Sequence, residues 1–463
     1  MLYALAMPPF ALWPLAFFCL VPLLYAVRGR GLLARIACGT GAGVVAGWCT
    51  SLVPTAVGLA SFFDRPLAFG VAAALAINGL VGGTAFALFA ALAGDPSRGR
   101  AQLTPWRIGA AFAVTEIARS HLFTGLPWLL LADALAPAPA LAQLASWIGV
   151  IGLGLTLATA NGAFAALAWR DGRRAAAACL VLLAFAFAAA DRLAPAIATG
   201  DPGSIARAEP GAASRTGAIR VALVQPGTPR ESMRDAARVV ARLDQLVAVT
   251  RSALPADLVV WPENATGVAL PANASLVRDA LESLSPRPAL LFGAPAYDPA
   301  APTRLFNSVL LWDASGSERG RYDKTHLLPF TEFVPPFFAA LGVRGGHSAA
   351  GGSIAPLEWR NTKMGILICY ELLFPELSRE LVRHGAGVLI NPSNDVWFDD
   401  TAGPQQMLAA AVLRAIATRR PLLRATPTGI TAAIDARGRV AAQLARGVSG
   451  ALVVDVWPVR ESR

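Results

Sequence analysis

The chain has 463 residues, 55% of them hydrophobic and 15% charged, with a formal net charge of +10. This is too apolar for one ordinary soluble enzyme; the excess lies in the N-terminal part, as expected for a membrane domain joined to a soluble one. The positive charge does not point to nucleic acid, because the arginines are dispersed, several flank apolar stretches, and no basic cluster carries interleaved aromatics.

The opening residues lack a basic n-region, and no small-residue cleavage site precedes a polar mature sequence, so they read as a retained membrane segment. Measured against a bilayer core of about 30 Å, spans are expected at about 11–27, 36–58, 67–93, 105–120, 143–168 and 175–193. Residues 1–194 are thus an α-helical membrane domain of about six spans, with Pro54 and Pro66 blurring two span ends. Gly39, Gly43 and Gly47 recur every four residues, a small face suited to close helix contact. Arginine is concentrated in alternate loops: Arg28, Arg30 and Arg35, then Arg98, Arg100 and Arg107, then Arg170, Arg173 and Arg174. The loops between carry Arg65 and Arg119. Cytoplasmic loops hold the excess, so the last span exits away from the cytoplasm.

Residues 195–218, rich in Ala, Gly, Pro and Ser, read as a linker. From 219 to 463 short strands alternate with helices, which implies helix-covered sheets. Strands are expected at 219–225, 257–261, 289–293, 306–312, 364–368, 387–391, 421–426, 429–435 and 450–455. Helices are expected at 232–253, 273–284, 375–384 and 404–418. Asp435-Ala-Arg-Gly438 marks a hairpin turn.

Four of the five cysteines, Cys19, Cys38, Cys49 and Cys179, fall in apolar spans, which leaves Cys369 alone in the soluble part. No intradomain disulfide or zinc spacing results, and with His121, His326, His347 and His384 scattered, no metal site is expected. Cys369 follows the apolar run Gly365-Ile-Leu-Ile and precedes Tyr370-Glu371 and Pro375, the pattern of a strand ending in a sharp elbow before a helix. A packed core cysteine is the alternative reading of such a position. A second apolar strand, Asp257-Leu-Val-Val-Trp-Pro262, ends in Glu263. Of the 40 Lys and Arg residues only Lys324 and Lys363 are lysine, so a compact ammonium stands out at Lys324. Glu263, Lys324 and Cys369 make up a base, a charge stabiliser and a nucleophile, the set that acyl transfer needs.

These motifs resemble the nitrilase superfamily of carbon-nitrogen hydrolases, and within it the apolipoprotein N-acyltransferase family. The matching strings are WPEN at 261–264, YDKTHLLPFTEFVPP at 322–336, ICYELLFPEL at 368–377, NPSNDVWF at 391–398 and RRPLLRATPTGITAAID at 419–435. In the N-terminal half they are Met7-Pro-Pro-Phe-Ala-Leu-Trp-Pro14 and Phe123-Thr-Gly-Leu-Pro-Trp128. The resemblance implies an αββα sandwich over 219–463 and a multi-pass protein of the bacterial inner membrane with its catalytic domain on the periplasmic side. It implies a Glu263-Lys324-Cys369 triad, with Glu332 and Glu371 beside it to orient Lys324 or assist proton transfer. It further implies an acyl chain moving from phospholipid, through a Cys369 thioester, to the N-terminal amine of a lipoprotein, with no cofactor.

The segment Phe330-Thr-Glu-Phe333-Val-Pro-Pro-Phe337-Phe338 reads either as a lid dipping into lipid or as an ordinary buried loop. The chain departs from the family in a short first span, in a polar tail to Arg463 where a final membrane helix is usual, and at Asn264, Thr331, Ala417 and Pro427. Alternatives are a conjugal-transfer-associated paralogue with another acceptor, a membrane-anchored amidase, and a scaffold whose triad is vestigial.

Overall fold

The structure, a computed structural model, describes residues 1–94, 104–122, 124–169, 172–194, 196–209, 214–230, 235–298, 300–335, 339–340, 346, 348–398 and 400–460. The chain forms two compact units, Met1–Pro195 with Trp397–Ala417, and Ala196–Val396 with Thr418–Arg463.

The first unit is helical. It opens with α1 (Leu2–Ala6), a 3-10 turn at Trp13–Phe17 and α2 (Val21–Val27). The span expected at 11–27 is therefore broken. Pro14 and Pro22 each occupy the first turn of a new helix, where a missing N–H is harmless, whereas inside one continuous helix each would remove a bond. Next come α3 (Leu32–Phe63), α4 (Leu67–Ala93), α5 (Pro105–His121), α6 (Pro139–Ala142), α7 (Ala145–Ala168) and α8 (Arg173–Leu193). Among the described residues four helices, α3, α4, α7 and α8, are long and apolar enough to cross a membrane, against the six spans expected. α5 has 17 residues and carries Glu116 and Arg119. Pro54, expected near a span end, lies inside α3.

The glycine row is the contact face between α3 and α4. A Cβ at Gly39, Gly43 or Gly47 would overlap the carbonyl oxygen of Phe86, Gly82 or Asn78 respectively, while Gly41 has open space beside it. Small residues let two backbones approach where lipid offers no hydrophobic drive to association.

After α5 the backbone is irregular, and side chains satisfy its polar groups. Arg119 donates to the Trp128 and Leu129 carbonyls (3.0 and 3.3 Å), and the Tyr3 hydroxyl donates to Leu129 as well (2.9 Å). The Leu130 and Leu131 amides donate to Asp133 Oδ2 (2.9 Å) and Glu116 Oε1 (2.7 Å). Glu116 and Asp133 are buried. Non-helical backbone among apolar helices is tolerated where protein groups supply such partners.

The second unit holds two sheets. The strands are β1 (Ile205–Arg207), β2 (Ile219–Gln225), β3 (Leu258–Val260), β4 (Ala289–Tyr297), β5 (Leu305–Trp312), β6 (Glu318–Asp323), β7 (Leu357–Trp359), β8 (Thr362–Ile366), β9 (Val388–Pro392), β10 (Leu422–Ala425), β11 (Ala432–Ile434), β12 (Val440–Gln443) and β13 (Gly450–Val456). One sheet runs β1-β13-β2-β3-β4-β5-β6 and the other β12-β11-β10-β9-β8-β7. Along β2, Val221 and Leu223 enter the core between the sheets, and Ala222 and Val224 face α9 (Val239–Ser252) and α10 (Ala274–Glu282). Strands apolar on both faces, as period-two alternation then requires, suit sheets covered on both sides. α11 (Pro375–Arg383) packs on the second sheet, its Leu381 reaching the Gly365 backbone. Helices, sheet, sheet, helix: the expected αββα layering is present.

Three differences from the expectation are structural. β1 lies inside the stretch read as a linker and pairs antiparallel with β13. β6, β7 and β12 were not expected. α12 (Gly403–Thr418), expected as a covering helix of the sheets, belongs to the helical unit. There the buried Gln406 donates to the Thr50 and Pro8 carbonyls (2.9 and 3.3 Å) and accepts from Trp128 Nε1 (2.7 Å).

Replacing Gly43 with Ala should destabilise the α3–α4 pair by about 1–3 kcal/mol, the usual cost of overpacking. Gly41→Ala should be neutral or mildly stabilising, since Ala is the better helix former. Thermal unfolding in detergent checks this: equal shifts for the two variants would mean that the glycine face does not carry the helix contact.

Candidate active site

Three strand ends deliver the three residues singled out by the sequence. Glu263 follows β3 across Trp261-Pro262, and Gly293 of β4 makes room for it. A Cβ on Gly293 would stand 2.6 Å from Glu263 Cα and 2.5 Å from the Asn264 nitrogen. Lys324 directly follows β6, its amide bonded to the Asn307 carbonyl of β5 (2.9 Å). Cys369 begins a 3-10 turn after β8 with φ of 49°, in the left-handed region that side-chain-bearing residues avoid. The elbow is therefore real, and its strain is held by neighbouring bonds.

Lys324 is 1% exposed. Its Nζ lies 2.8 Å from Glu332 Oε2 and 3.3 Å from Glu263 Oε1. Burial pulls against the ammonium, but the two carboxylates outweigh it and hold the lysine pKa well above its ordinary value. Lys324 thus stays charged at any physiological pH.

Cys369 is half-buried at the edge of the inter-sheet core. Enclosure of the thiol and the charge of Glu263 push it up to about 12, opposed by Lys324, the Asn394 amide and the Ser393 hydroxyl. Its resting form is the thiol, and Glu263 is the carboxylate whose charge that thiol feels.

Glu371, two residues on, is fully buried. Its Oε1 accepts from the Tyr322 hydroxyl (3.0 Å), the Thr325 amide and hydroxyl (2.7 and 2.8 Å) and the His326 amide (3.1 Å). Its Oε2 accepts from the Ile368 amide (2.8 Å). Burial raises its pKa, and the amide and hydroxyl donors pull it back. This carboxylate ties the lysine loop to the cysteine elbow. Glu332 spends Oε2 on Lys324 and on the Leu328 amide (2.7 Å). Phe330 and Phe333 are half-buried beside it; Phe337 and Phe338 lie outside the described residues.

The residue-by-residue sequence reading passed over a second set of polar groups. Asn307 Nδ2 donates to both Glu263 Oε1 (2.7 Å) and Glu332 Oε1 (2.6 Å). Beneath Cys369, the fully buried Arg424 donates to Asp395 (2.6 and 2.7 Å) and to Asn391. Asn391 in turn donates to the Leu367 and Cys369 carbonyls. Their signal was polarity out of place: an amide in the run Leu-Phe-Asn-Ser-Val-Leu-Leu and an arginine in Pro-Leu-Leu-Arg-Ala. Among the described residues no group of three His, Cys, Asp or Glu side chains is arranged to hold a metal ion.

The thiol at a strained elbow, the carboxylate and the buried ammonium are carried on an αββα sandwich, and residues 220–460 match the carbon-nitrogen hydrolase family. Residues 1–163 match the apolipoprotein N-acyltransferase N-terminal domain. The chain belongs to the apolipoprotein N-acyltransferase family and is an N-acyltransferase enzyme. It is 35% identical to the apolipoprotein N-acyltransferase of Caulobacter vibrioides over 83% of this chain and 74% of that one. To that of Agrobacterium fabrum it is 33% identical over 97% and 87%. Among solved structures, an amidase from Nesterenkonia sp. aligns with a TM-score of 0.40 and 23% identity, covering 54% of this chain and 96% of that one.

A raised thiol pKa keeps the proton on to higher pH, so the thiolate fraction stays below that of a free cysteine under about pH 12. Alkylation of Cys369 by iodoacetamide, followed on its peptide by mass spectrometry, should therefore be slow near neutrality. Its rate should still climb beyond pH 9, where an ordinary thiol of pKa about 8.5 begins to level off. A plateau near that value would show an open, unperturbed thiol.

Proposed function

We propose that this protein is a ping-pong N-acyltransferase working from the membrane, with Cys369 as nucleophile, Glu263 as proton carrier and Lys324 as oxyanion donor. The observation that carries the reading is the buried Lys324 held between Glu263 and Glu332 beside the Cys369 elbow. Glu263 takes the thiol proton as sulfur attacks the ester carbonyl of a phospholipid. The oxyanion forms against the Lys324 ammonium, in a site dry enough for one donor to matter. Collapse breaks the ester C–O bond, and Glu263 returns the proton to the departing lysophospholipid oxygen. The α-amine of a diacylglyceryl-cysteine at a lipoprotein N-terminus then attacks the thioester. Glu263 accepts the ammonium proton and passes it to the leaving sulfur, restoring the thiol. Glu332 orients Lys324. Glu371, with its oxygens engaged by donors, braces the lysine loop against the elbow.

The arginine pattern supports the orientation. With the arginine-rich loops inside, the second unit lies on the periplasmic face of the bacterial inner membrane. Six crossings fit this reading if the broken segment at 13–27 and α5 each traverse together with their irregular neighbours. In this reading the half-buried Phe330 and Phe333 belong to the apolar segment that admits the acyl chain.

Incubation with phospholipid vesicles alone should leave a hydroxylamine-sensitive acyl group on Cys369, since the thioester forms before the amine arrives. Cys369→Ala should abolish it, and Lys324→Ala should slow it by roughly 10²–10³, the scale of losing one oxyanion donor. Rescue of a cell depleted of its own apolipoprotein N-acyltransferase tests the acceptor. An adduct without rescue would point to another amine, as in a conjugation-linked paralogue. No adduct with any phospholipid would leave an amidase or a scaffold.

A reporter fused after Arg463 should be active outside the cytoplasm, and one placed between α4 and α5 inside it. The reverse pattern would overturn the orientation.

A further inference from the structure

Two carboxylates share one ammonium at this site, and the sharing alone is unstable. Glu263 and Glu332 repel each other, and Lys324 could pair with either and abandon the other. The structure contains a second bridge between them. Asn307 Nδ2 carries two hydrogens and stands 2.7 Å from Glu263 Oε1 and 2.6 Å from Glu332 Oε1. Lys324 spans the same pair through Glu263 Oε1 and Glu332 Oε2. Carboxylate, amide, carboxylate and ammonium close a ring. A carboxylate would add repulsion at the amide position, and an alcohol has one proton to offer two acceptors.

The ring has a consequence for Glu263. Its Oε1 is engaged by both the amide and the ammonium, so the oxygen available to take the thiol proton is Oε2. Asn307 also accepts the Lys324 backbone amide through its own carbonyl (2.9 Å), so one residue sets the exit of the lysine from β6 and the attitude of both carboxylates. Nothing in strand formation calls for Asn here, since β-strands select against it and its neighbours in β5 are Leu, Phe, Ser and Val.

We propose that Asn307 is a positioning residue for acyl transfer, its side-chain amide clamping Glu263 and Glu332 together so that Glu263 presents one fixed oxygen to Cys369. The proposal rests on the nucleophile assignment made above, but not on the identity of the natural donor or acceptor. A clamp of this kind acts on the rate of the chemical step and leaves substrate binding alone, because misplacing a reacting group by about 1 Å costs on the order of 10² in rate.

The test uses the full-length protein in detergent and p-nitrophenyl butyrate, a soluble ester whose burst of p-nitrophenol reports acylation of Cys369 whatever the natural substrates are. Asn307→Leu keeps the backbone carbonyl and most of the volume but removes both donors. It should slow the burst 10- to 100-fold, with the ester concentration that half-saturates the burst rate within about twofold and cooperative thermal unfolding retained. Asn307→Asp should be slower still, because it sets a third carboxylate between two others. Combining Asn307→Leu with Glu332→Gln should cost less than the product of the two single losses, since removing the repulsion removes the need for the clamp. The proposal is overturned if Asn307→Leu bursts like wild type, if its loss appears in the half-saturation of the burst rate instead of in the rate itself, if the variant no longer unfolds cooperatively, or if the two losses simply multiply. A wild-type enzyme that bursts with the soluble ester but takes no acyl group from vesicles would refute the phospholipid reading and leave the clamp standing. A wild type with no burst would refute both.

Discussion

The interaction on which the catalytic unit depends is the burial of one positive charge. Moving an ammonium out of water costs several kcal/mol even after protein relaxation, and only well-placed negative partners offset it. For Lys324 those partners come from two places distant in sequence, Glu263 at the end of β3 and Glu332 on the loop beyond β6. The charge cannot be buried until both have closed around it. Folding of this region and assembly of the site are therefore one event, and removing either acid leaves a buried charge short of a partner. The same arrangement suits catalysis. In the proposed role, an ammonium already stripped of water and fixed in place would need no reorganisation as an oxyanion forms beside it.

The proposed nucleophile is governed by the opposite choice. Cys369 is kept neutral, its thiol raised by enclosure and by the neighbouring Glu263. A thiol stored in this form is a poor target for adventitious oxidation, which follows thiolate character. The left-handed backbone at Cys369 has to be held against relaxation, and Glu371 supplies the hold. It takes the Ile368 amide on one oxygen and the Tyr322 and Thr325–His326 donors on the other. The elbow and the lysine loop are thereby locked to a common carboxylate, so that neither can shift without the other.

The residues that the structure brings together at these strand ends stood out in the sequence because they are rare. Cys369 is the sole thiol of residues 219–463, and Lys324 one of two lysines among 40 cationic side chains. The strands apolar on both faces, β2 and β9, were read closely for the same reason that they fold: continuous burial leaves an unbroken apolar run. The missed strands lack that signature. β6 reads Glu-Arg-Gly-Arg-Tyr-Asp and β12 exposes most of its residues, so pairing with neighbours, not periodicity, makes them strands. The first expected span failed because hydropathy does not see where proline restarts a helix. Asn307 was invisible to reasoning by propensity, since an amide inside an apolar strand lowers the score of the strand without saying what it binds.

The allegiance of α12 could not be read locally at all. Its sequence suits any helix laid over a sheet, and it connects β9 to β10, parallel neighbours on the side of the second sheet that follows the nucleophile strand. Yet it is built into the helical unit, where Gln406 saturates backbone carbonyls from the N-terminal turn and from α3 and accepts from the Trp128 indole. A crossover helix normally serves the sheet it crosses. Here the crossover lends its helix to the other unit. Asp395 and Arg424, the buried pair beneath Cys369, lie one on each side of this excursion. Their ion pair therefore ties β10 to the segment that follows β9 within the second unit itself.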